Sequence, residues 1–251
     1  MSFFGKLIEH KIHPKMFMYL EIGVAVGKSI YTQMHIFEPT SSIFALDVED
    51  INPTLASMLD RDRVVSTWTE EAMQGGVPTT RRSDIAKKHG HGVDSIQIFS
   101  LKGRKGPTLT YLAGDEFNAE SWNRLQGLGE PKFQLVLSDA LHTKEALLME
   151  WKMVRGKGLL DESTFAYVWD DCHSGMREAF QQIVAQFEAE RRGSFFCTAV
   201  FQVPGWLGTH EFLHPTCVLT TLDLKEMRST DAAFAGVGVL EAVVCRVETK
   251  R

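Results

Sequence analysis

The sequence of 251 residues predicts an α/β fold, with a mostly parallel sheet of seven strands and helices on both faces. Short apolar, β-branched runs alternate along the chain with longer runs of helical periodicity, which is the order of β–α–β units. The run at 135–137 is continuously apolar, as in a strand that is buried on both faces. The length fits one domain, so a single domain is predicted for 1–251.

The predicted elements follow one another regularly. Strand-like runs lie at 17–22, 42–46, 108–113, 133–137, 164–169, 195–203 and 239–247. Helical patterns lie at 28–37, 144–154 and 175–191, and a further helix is predicted at 53–59 because Asn52 is a good cap before a proline. The run at 216–221 is also strand-like.

The segment at about 69–107 does not fit this order. It is long, weakly periodic and rich in Gly, Lys, Arg and His. Loops of this length in a compact domain are usually functional or mobile. Two interpretations stay open: a solvated surface insertion, or a lid that closes over a substrate.

Composition excludes several function classes. A net charge of −5 argues against nucleic acid as the main partner, although basic residues cluster between Arg81 and Lys105. No run of about 18 apolar residues is present, so no membrane span is expected. The first residues do not form the apolar core of a signal peptide.

The four cysteines, at 172, 197, 217 and 245, show no C-x-x-C spacing. Three of them lie in apolar or β-branched runs, where cysteine acts as a small core residue. They are therefore interpreted as neither a disulfide framework nor a zinc site, and a reducing, cytoplasmic compartment is predicted.

A glycine-rich turn between the first strand and the first helix carries the main functional signal. The segment 19–29 reads YLEIGVAVGKS, with small residues at 23, 25 and 27 that allow the backbone to turn tightly and lie against a ligand. The helix that follows offers backbone N–H groups at its N-terminus. Asp47 ends the second strand, where a carboxylate can accept the ribose hydroxyls of a nucleoside.

This combination resembles motif I of the class I S-adenosylmethionine-dependent methyltransferases, in which an acidic residue precedes G-x-G-x-G. Ala25 stands where that motif has its middle glycine. The resemblance implies a Rossmann-like, doubly wound sheet with S-adenosylmethionine as cofactor. It implies cofactor contacts from residues of the turn and of two strand ends, namely Glu21, Gly23, Ala25 and Gly27 for the methionine end, Asp47 for the ribose and Asp115 for the adenine amino group.

A dinucleotide-binding Rossmann domain is the competing interpretation of a glycine turn. The turn lacks the third glycine at the required spacing, because Ser29 and Ile30 follow Gly27. The acidic strand residue Glu21 also comes just before the glycines of the turn. Both features favour S-adenosylmethionine over a nicotinamide or flavin nucleotide.

Acidic residues and histidines follow two later strands. Asp139 and His142 come after the run at 133–137, and Asp170, Asp171 and His173 come after 164–169. Ligands of parallel α/β sheets bind at the carboxyl ends of the strands, so these five groups are expected to converge on one crevice. A divalent cation with oxygen ligands would compensate the repulsion among them.

The acids are similar to those of metal-dependent O-methyltransferases of the sugar and catechol type. The resemblance implies Mg²⁺ bound by Asp139, Asp170 and Asp171, with Asp139 also among the cofactor contacts. The ion would lower the pKa of a hydroxyl on a small-molecule substrate. A base would then take the proton: His173 is the first candidate, His142 the second and Lys144 the third.

Other interpretations of the acidic strand ends stay open. Asp139 or Asp171 could serve only as a helix cap. The enzyme could be a metal-free methyltransferase acting on nitrogen or a carboxylate, or the chain could bind S-adenosylmethionine without catalysis. The oligomeric state is open too, a homo-oligomer included.

One motif is rejected. His210–His214 reads HEFLH, which matches the zinc pattern H-E-x-x-H, but that chemistry requires both histidines on one helix face. Gly205 and Gly208 precede the motif and Pro215 follows it, and a residue before proline avoids helical geometry. The segment Pro204–Pro215 is predicted to be a loop over the substrate pocket or a strand connection.

Overall fold

The computed structural model describes residues 17–25, 27–49, 51, 52, 55, 64–67, 96–101, 107–191, 194–204, 213–230 and 238–246. These residues form two compact units. The N-terminal unit falls within His13–Phe133 and Met153–Leu160, and the C-terminal unit falls within Gln134–Lys152 and Asp161–Arg251. The prediction of a single domain over 1–251 stays a prediction.

The N-terminal unit contains five strands in the order β1-β2-β5-β4-β3. Its elements are β1 (Met18–Ile22), α1 (Lys28–Ile36), β2 (Ser42–Asp47), β3 (Val64–Thr67), β4 (Ile96–Leu101), β5 (Thr108–Ala113) and α2 (Ala119–Gly127). Strands β1, β2 and β5 are parallel, whereas β4 pairs antiparallel with β5 and β3 antiparallel with β4. Parallel strands laid side by side in chain order are half of a Rossmann fold.

The C-terminal unit contains the other five strands in the order β6-β7-β9-β8-β10. Its elements are β6 (Leu135–Ser138), residues 144–152 of α3 (Lys144–Gly156), β7 (Ala166–Trp169), α4 (Ser174–Glu190), β8 (Phe196–Pro204), β9 (Leu213–Thr220), α5 (Leu224–Thr230) and β10 (Gly238–Arg246). Strands β6 and β7 are parallel. Strand β9 is antiparallel to both β7 and β8, so β8 runs in the same direction as β7.

Aromatic side chains fill the core of the C-terminal unit. The rings of Tyr167 and Trp169 stack with centroids 4.0 Å apart and an interplanar angle of 12°. Trp151 lies edge-on to Tyr167 at 5.8 Å, and Phe180 lies edge-on to Trp169 at 5.7 Å. These side chains are buried, and offset or edge-on aromatic pairs add to the stabilisation from burial. The core therefore fixes β7, the strand that leads into Asp170 and Asp171.

The predicted α/β, Rossmann-like fold is confirmed, and each of the seven predicted strands is present. Strands β3 and β4 were not predicted, and the strand-like run at 216–221, which belongs to β9, was not counted among the seven, so the described strands number ten. Strand β4 lies inside the segment 69–107, and its short alternating run was missed among the basic residues around it. The rest of the region, residues 68–95 and 102–106, lies outside the described residues, and so does the lid predicted there. The short helices α2 and α5 were not predicted either. Of the predicted helix at 53–59 the structure describes Leu55 alone, in helical conformation.

The prediction that the cysteines are unpaired is wrong. Cys172 forms a disulfide with Cys217, and Cys197 forms one with Cys245. The partners are 45 and 48 residues apart along the chain, so their spacing gave no sign of the pairing. Strand register brings them together, since Cys197 lies directly opposite Cys245 in the β8–β10 ladder.

Among the described residues, no helix is both long and apolar enough to span a membrane.

Gly27 connects the glycine turn to α1 and has no room for a side chain. Its φ of 75° is left-handed, and a Cβ at this position would lie 2.5–2.8 Å from side-chain atoms of Leu55. Leu55 is fully buried. The close approach of backbone and leucine therefore requires glycine here.

We expect Gly27→Ala to lower the free energy of unfolding by about 2–4 kcal/mol, since it adds left-handed strain and overpacking. Gly127→Ala is the matched control, because a Cβ there meets no atom within 4 Å. That change should be neutral or stabilising by up to about 1 kcal/mol. Urea unfolding of both variants measures the difference, and equal effects would contradict the role of Leu55.

Candidate active site

The glycine turn, residues 23–27, follows β1 and is held in an unusual backbone conformation. Gly23, Ala25 and Gly27 have φ of 77°, 48° and 75°, so every second residue is left-handed. Ala25 adopts this conformation although it carries a Cβ, which costs about 1–2 kcal/mol. Such a turn persists only where other contacts hold it.

Asp47, at the end of β2, supplies those contacts. Its Oδ2 accepts the N–H groups of Val24 at 2.6 Å and Ala25 at 3.1 Å. Its Oδ1 accepts the Glu49 N–H at 2.8 Å. A carboxylate has about four lone-pair sites, so contacts with described residues leave one on Oδ1. The predicted contact of Asp47 with the ribose of a cofactor stays a prediction.

Glu21 is buried in β1, with 1% of its surface exposed. The Tyr19 hydroxyl donates to its Oε2 at 2.5 Å, and the Ser29 hydroxyl donates to Oε1. Ser29 lies in the first turn of α1, so Glu21 ties the strand to the helix on either side of the glycine turn. The contact with the methionine end of a cofactor, predicted from the sequence, stays a prediction.

The end of β5 is linked to the same region of the N-terminal unit. Gly23 donates its N–H to the Leu46 carbonyl at 2.9 Å, and Gly114 donates to the Asp47 carbonyl at 2.7 Å. Asp115 comes next, and its Oδ1 accepts the Phe117 N–H at 2.8 Å. Asp115 thus shapes the turn before α2, and its predicted contact with adenine stays a prediction.

In the C-terminal unit, the turn that follows β7 is bound to β9 by a group of contacts that we call the β7–β9 junction. It joins residues 170–172 to residues 214–217. The contacts are His214 Nδ1 with Asp171 Oδ1, the Cys172 N–H to the Pro215 carbonyl at 2.6 Å, the Thr216 hydroxyl to Asp170 Oδ1 at 2.9 Å, and the Cys172–Cys217 disulfide. Four consecutive residues of β9 therefore each hold part of one short turn.

Asp171 is the centre of the ionisable groups around this junction. Its φ of 47° is left-handed, a conformation that Asp tolerates better than most residues. His214 contacts its Oδ1, and His142 Nδ1 lies 3.7 Å from its Oδ2. His173 Nε2 is 4.0 Å from Oδ1, with 66% of its side chain exposed. We call Asp139, His142, Asp170, Asp171, His173 and His214 the Asp–His cluster.

The charges of the cluster shift two pKa values. Asp139, with an oxygen 3.3 Å from His142 Nε2, raises the pKa of His142 against the effect of desolvation, and Asp171 raises it further. Burial raises the pKa of Asp170, and the charge of Asp139 adds to this; the Thr216 hydroxyl opposes it. The cluster thus has an excess of negative charge that a cation or a proton would relieve.

The oxygens of the predicted magnesium ligands, Asp139, Asp170 and Asp171, are not grouped as closely as the ligands of one ion. In the described part of the chain, one set of three His, Cys, Asp or Glu ligand atoms lies within 4.8 Å, and it is Cys197, Asp223 and Cys245. Asp139, Asp170 and Asp171 do not form such a set. Their oxygens are of the kind that Mg²⁺ prefers, but their arrangement does not fit a closed site.

The five groups expected to converge after β6 and β7 do lie together, and the structure adds His214, which the sequence analysis did not select. The rejected HEFLH motif contains it. His214 lies in strand β9 and not on a helix, while His210 lies outside the described residues. The strand-like run at 216–221 was the available signal, and extending it by two residues would have reached His214.

Comparisons with known proteins add distant structural likenesses. No protein-family model matches the chain, and no curated protein matches it. It is similar to the O-methyltransferase TomG of Streptomyces achromogenes, involved in tomaymycin synthesis and solved with SAM, at 14% identity and a TM-score of 0.47 over 86% of this chain and 78% of that one. An O-methyltransferase of Bacillus cereus solved with SAH gives 11% identity and a TM-score of 0.48 over 88% and 81%. We therefore infer function from the side chains of the chain itself.

The raised pKa of His142 gives a pH-dependent stability. Since the folded pKa exceeds the unfolded value of about 6.5, the ion pair stabilises the fold fully below that pH and is lost as pH rises through the folded pKa. His142→Gln keeps a donor but not the charge. It should lower the free energy of unfolding at about pH 5.5 and change it less at about pH 8.5. Urea unfolding at both pH values measures this, and a larger loss at the higher pH would contradict it.

Proposed function

We propose that the chain is an S-adenosylmethionine-dependent methyltransferase that methylates a hydroxyl group of a small molecule. The observation that carries the proposal is the glycine turn, whose alternate left-handed residues are held by the Asp47 carboxylate. Glycine at 23 and 27 carries no side chain, so the backbone peptide groups at these positions can lie close to a ligand. The cofactor would supply an electrophilic methyl group on a sulfonium sulfur.

The N-terminal unit supports a nucleoside ligand over a phosphate-bridged dinucleotide. Asp47 is a carboxylate with an acceptor site left at Oδ1, which suits a ribose hydroxyl and repels a phosphate. Glu21 adds a second carboxylate beside the turn, and this one is buried. Negative charge at both positions favours a cationic ligand, and the sulfonium and amino groups of S-adenosylmethionine are cationic.

The C-terminal unit supplies a base for the acceptor hydroxyl. His214 Nδ1 contacts Asp171 Oδ1, and because a carboxylate can only accept, Nδ1 would carry the proton and Nε2 would be the proton acceptor. The carboxylate orients the imidazole and stabilises the imidazolium that forms, as in other Asp–His pairs. His214 Nε2 would take the hydroxyl proton while the oxygen attacks the methyl carbon and the carbon–sulfur bond breaks, so that S-adenosylhomocysteine leaves as a neutral thioether.

His214 is a better base in this geometry than the two histidines predicted from the sequence. His142 is paired with Asp139, which favours its charged form. His173 is two-thirds exposed and lies 4.0 Å from Asp171, beyond hydrogen-bonding distance. His173 also precedes α4 directly, and its backbone occupies the N-cap position.

Magnesium is a second part of the proposal, although the proton transfer to His214 does not require it. Asp139, Asp170 and Asp171 would be its ligands, and it would lower the pKa of the acceptor hydroxyl. What supports it is the chemistry of three carboxylates and the raised pKa of Asp170. What opposes it is that the oxygens of the three carboxylates do not all lie within 4.8 Å of one another.

The disulfides also bear on the predicted cellular location. The predicted cytoplasmic location depended on cysteines without partners, whereas all four are paired. Disulfides persist mainly in oxidising compartments, so the cytoplasmic location loses its support.

Transfer of an isotope-labelled methyl group from S-adenosylmethionine to phenolic and sugar acceptors tests the proposal. His214→Asn can still donate to Asp171 but lacks the basic nitrogen, so kcat/KM should fall by about 10²–10⁴ with unchanged affinity for S-adenosylhomocysteine. His173→Asn is the matched control, because asparagine also suits an N-cap, and it should keep most of its activity.

Transfer to nitrogen or carboxylate acceptors in place of hydroxyls would contradict the substrate class, and no binding of S-adenosylhomocysteine would contradict the whole proposal. The same assay with a chelator decides the role of magnesium. Turnover that persists after chelation supports the Asp171–His214 pair acting alone. Turnover that is lost and then restored by added Mg²⁺ assigns the acidic residues to an ion.

A further inference from the structure

A second group of metal-binding side chains lies away from the Asp–His cluster, at the edge of the C-terminal unit. Cys197 in β8 and Cys245 in β10 are directly opposite each other in an antiparallel ladder, with Cα atoms 4.0 Å apart. Cys197 is buried and Cys245 is half-buried. Neither residue has a role in the proposed methyl transfer.

Asp223, just before α5, completes this group. One of its carboxylate oxygens and the two cysteine sulfurs all lie within 4.8 Å of one another. Its Oδ1 accepts the N–H groups of Lys225 and Glu226, each at 3.0 Å. These two bonds fix the carboxylate and leave Oδ2 as the oxygen with capacity for another ligand.

Two thiolates and one carboxylate are a ligand set for a thiophilic divalent cation. Zinc binds sulfur at about 2.3 Å and carboxylate oxygen at about 2.0–2.2 Å in tetrahedral geometry, which places ligand atoms roughly 3.5–3.8 Å apart. The three atoms lie within 4.8 Å of one another in the fold, so zinc needs only a small movement of the side chains once the sulfurs are no longer bonded to each other. A set of three protein ligands leaves the fourth position for water.

We propose that Cys197, Cys245 and Asp223 form a redox-dependent zinc site. In the oxidised chain the two sulfurs form the disulfide, and no zinc binds. A phosphine or thiol reductant cleaves the disulfide; with a phosphine, one water molecule gives its oxygen to phosphorus and its two hydrogens to the two sulfurs. Binding of Zn²⁺ then releases the two thiol protons, and Asp223 is the third ligand.

Cobalt substitution in the full-length chain tests the site, because thiolate-to-cobalt charge transfer absorbs in the near ultraviolet and reports sulfur ligands directly. We expect the phosphine-reduced protein to bind one equivalent of Co²⁺ with this absorption and to lose it when Zn²⁺ is added. The oxidised protein should show no such absorption. Absence of the band from the reduced protein would overturn the proposal.

Variants assign the ligands. The double change Cys197→Ala and Cys245→Ala should abolish the band, whereas Cys172→Ala with Cys217→Ala should retain it. Asp223→Asn can still accept the N–H groups of α5, so the fold is kept, and its Co²⁺ affinity should fall at least about tenfold. Glu226→Gln removes the same charge from an exposed neighbour and should bind like the unaltered chain. Equal affinities of the two acidic variants, or a band that depends on Cys172 and Cys217, would contradict the site.

Discussion

The β7–β9 junction is the constraint on which the proposed chemistry depends. It holds Asp171 in a left-handed conformation that costs about 1–2 kcal/mol for a residue with a Cβ. The disulfide closes a loop of 45 residues, for which about 4 kcal/mol is expected, and the Thr216 hydrogen bond to a charged group adds about 1.5–3 kcal/mol. The contacts of the junction fix the turn in this conformation, and the turn orients the Asp171 carboxylate towards His214.

In the N-terminal unit, too, a carboxylate fixes the conformation of the backbone. Asp47 holds the glycine turn through two N–H groups, so it stabilises the turn before any ligand binds. The turn is thereby organised in advance, which lowers the ordering cost of binding. Both units thus use an acidic residue at or just after the end of a parallel strand, one to shape the glycine turn and one to orient a histidine.

The sequence was sufficient for the parts of the fold that depend on local pattern. Strands such as β6 are continuously apolar, and the small residues at 23, 25 and 27 correctly marked the turn. What it missed depends on contacts between distant residues. His214 reaches Asp171 across 43 residues, and each disulfide joins two cysteines that are distant in the sequence and that only the folded sheet brings together. Asp139, Asp170 and Asp171 lie in one cluster, as the strand order predicted, but the spacing of their oxygens could not be obtained from the order of residues.

The protonation of His214 tests the central claim most directly. Histidine labelled with ¹⁵N distinguishes the two ring nitrogens by NMR, at a pH where the ring is neutral. We predict that His214 carries its proton on Nδ1, with Nε2 unprotonated, and that Asp171→Asn removes this preference. A proton on Nε2 of the unaltered chain, or a preference that Asp171→Asn leaves unchanged, would contradict an Asp171–His214 pair arranged to accept a proton.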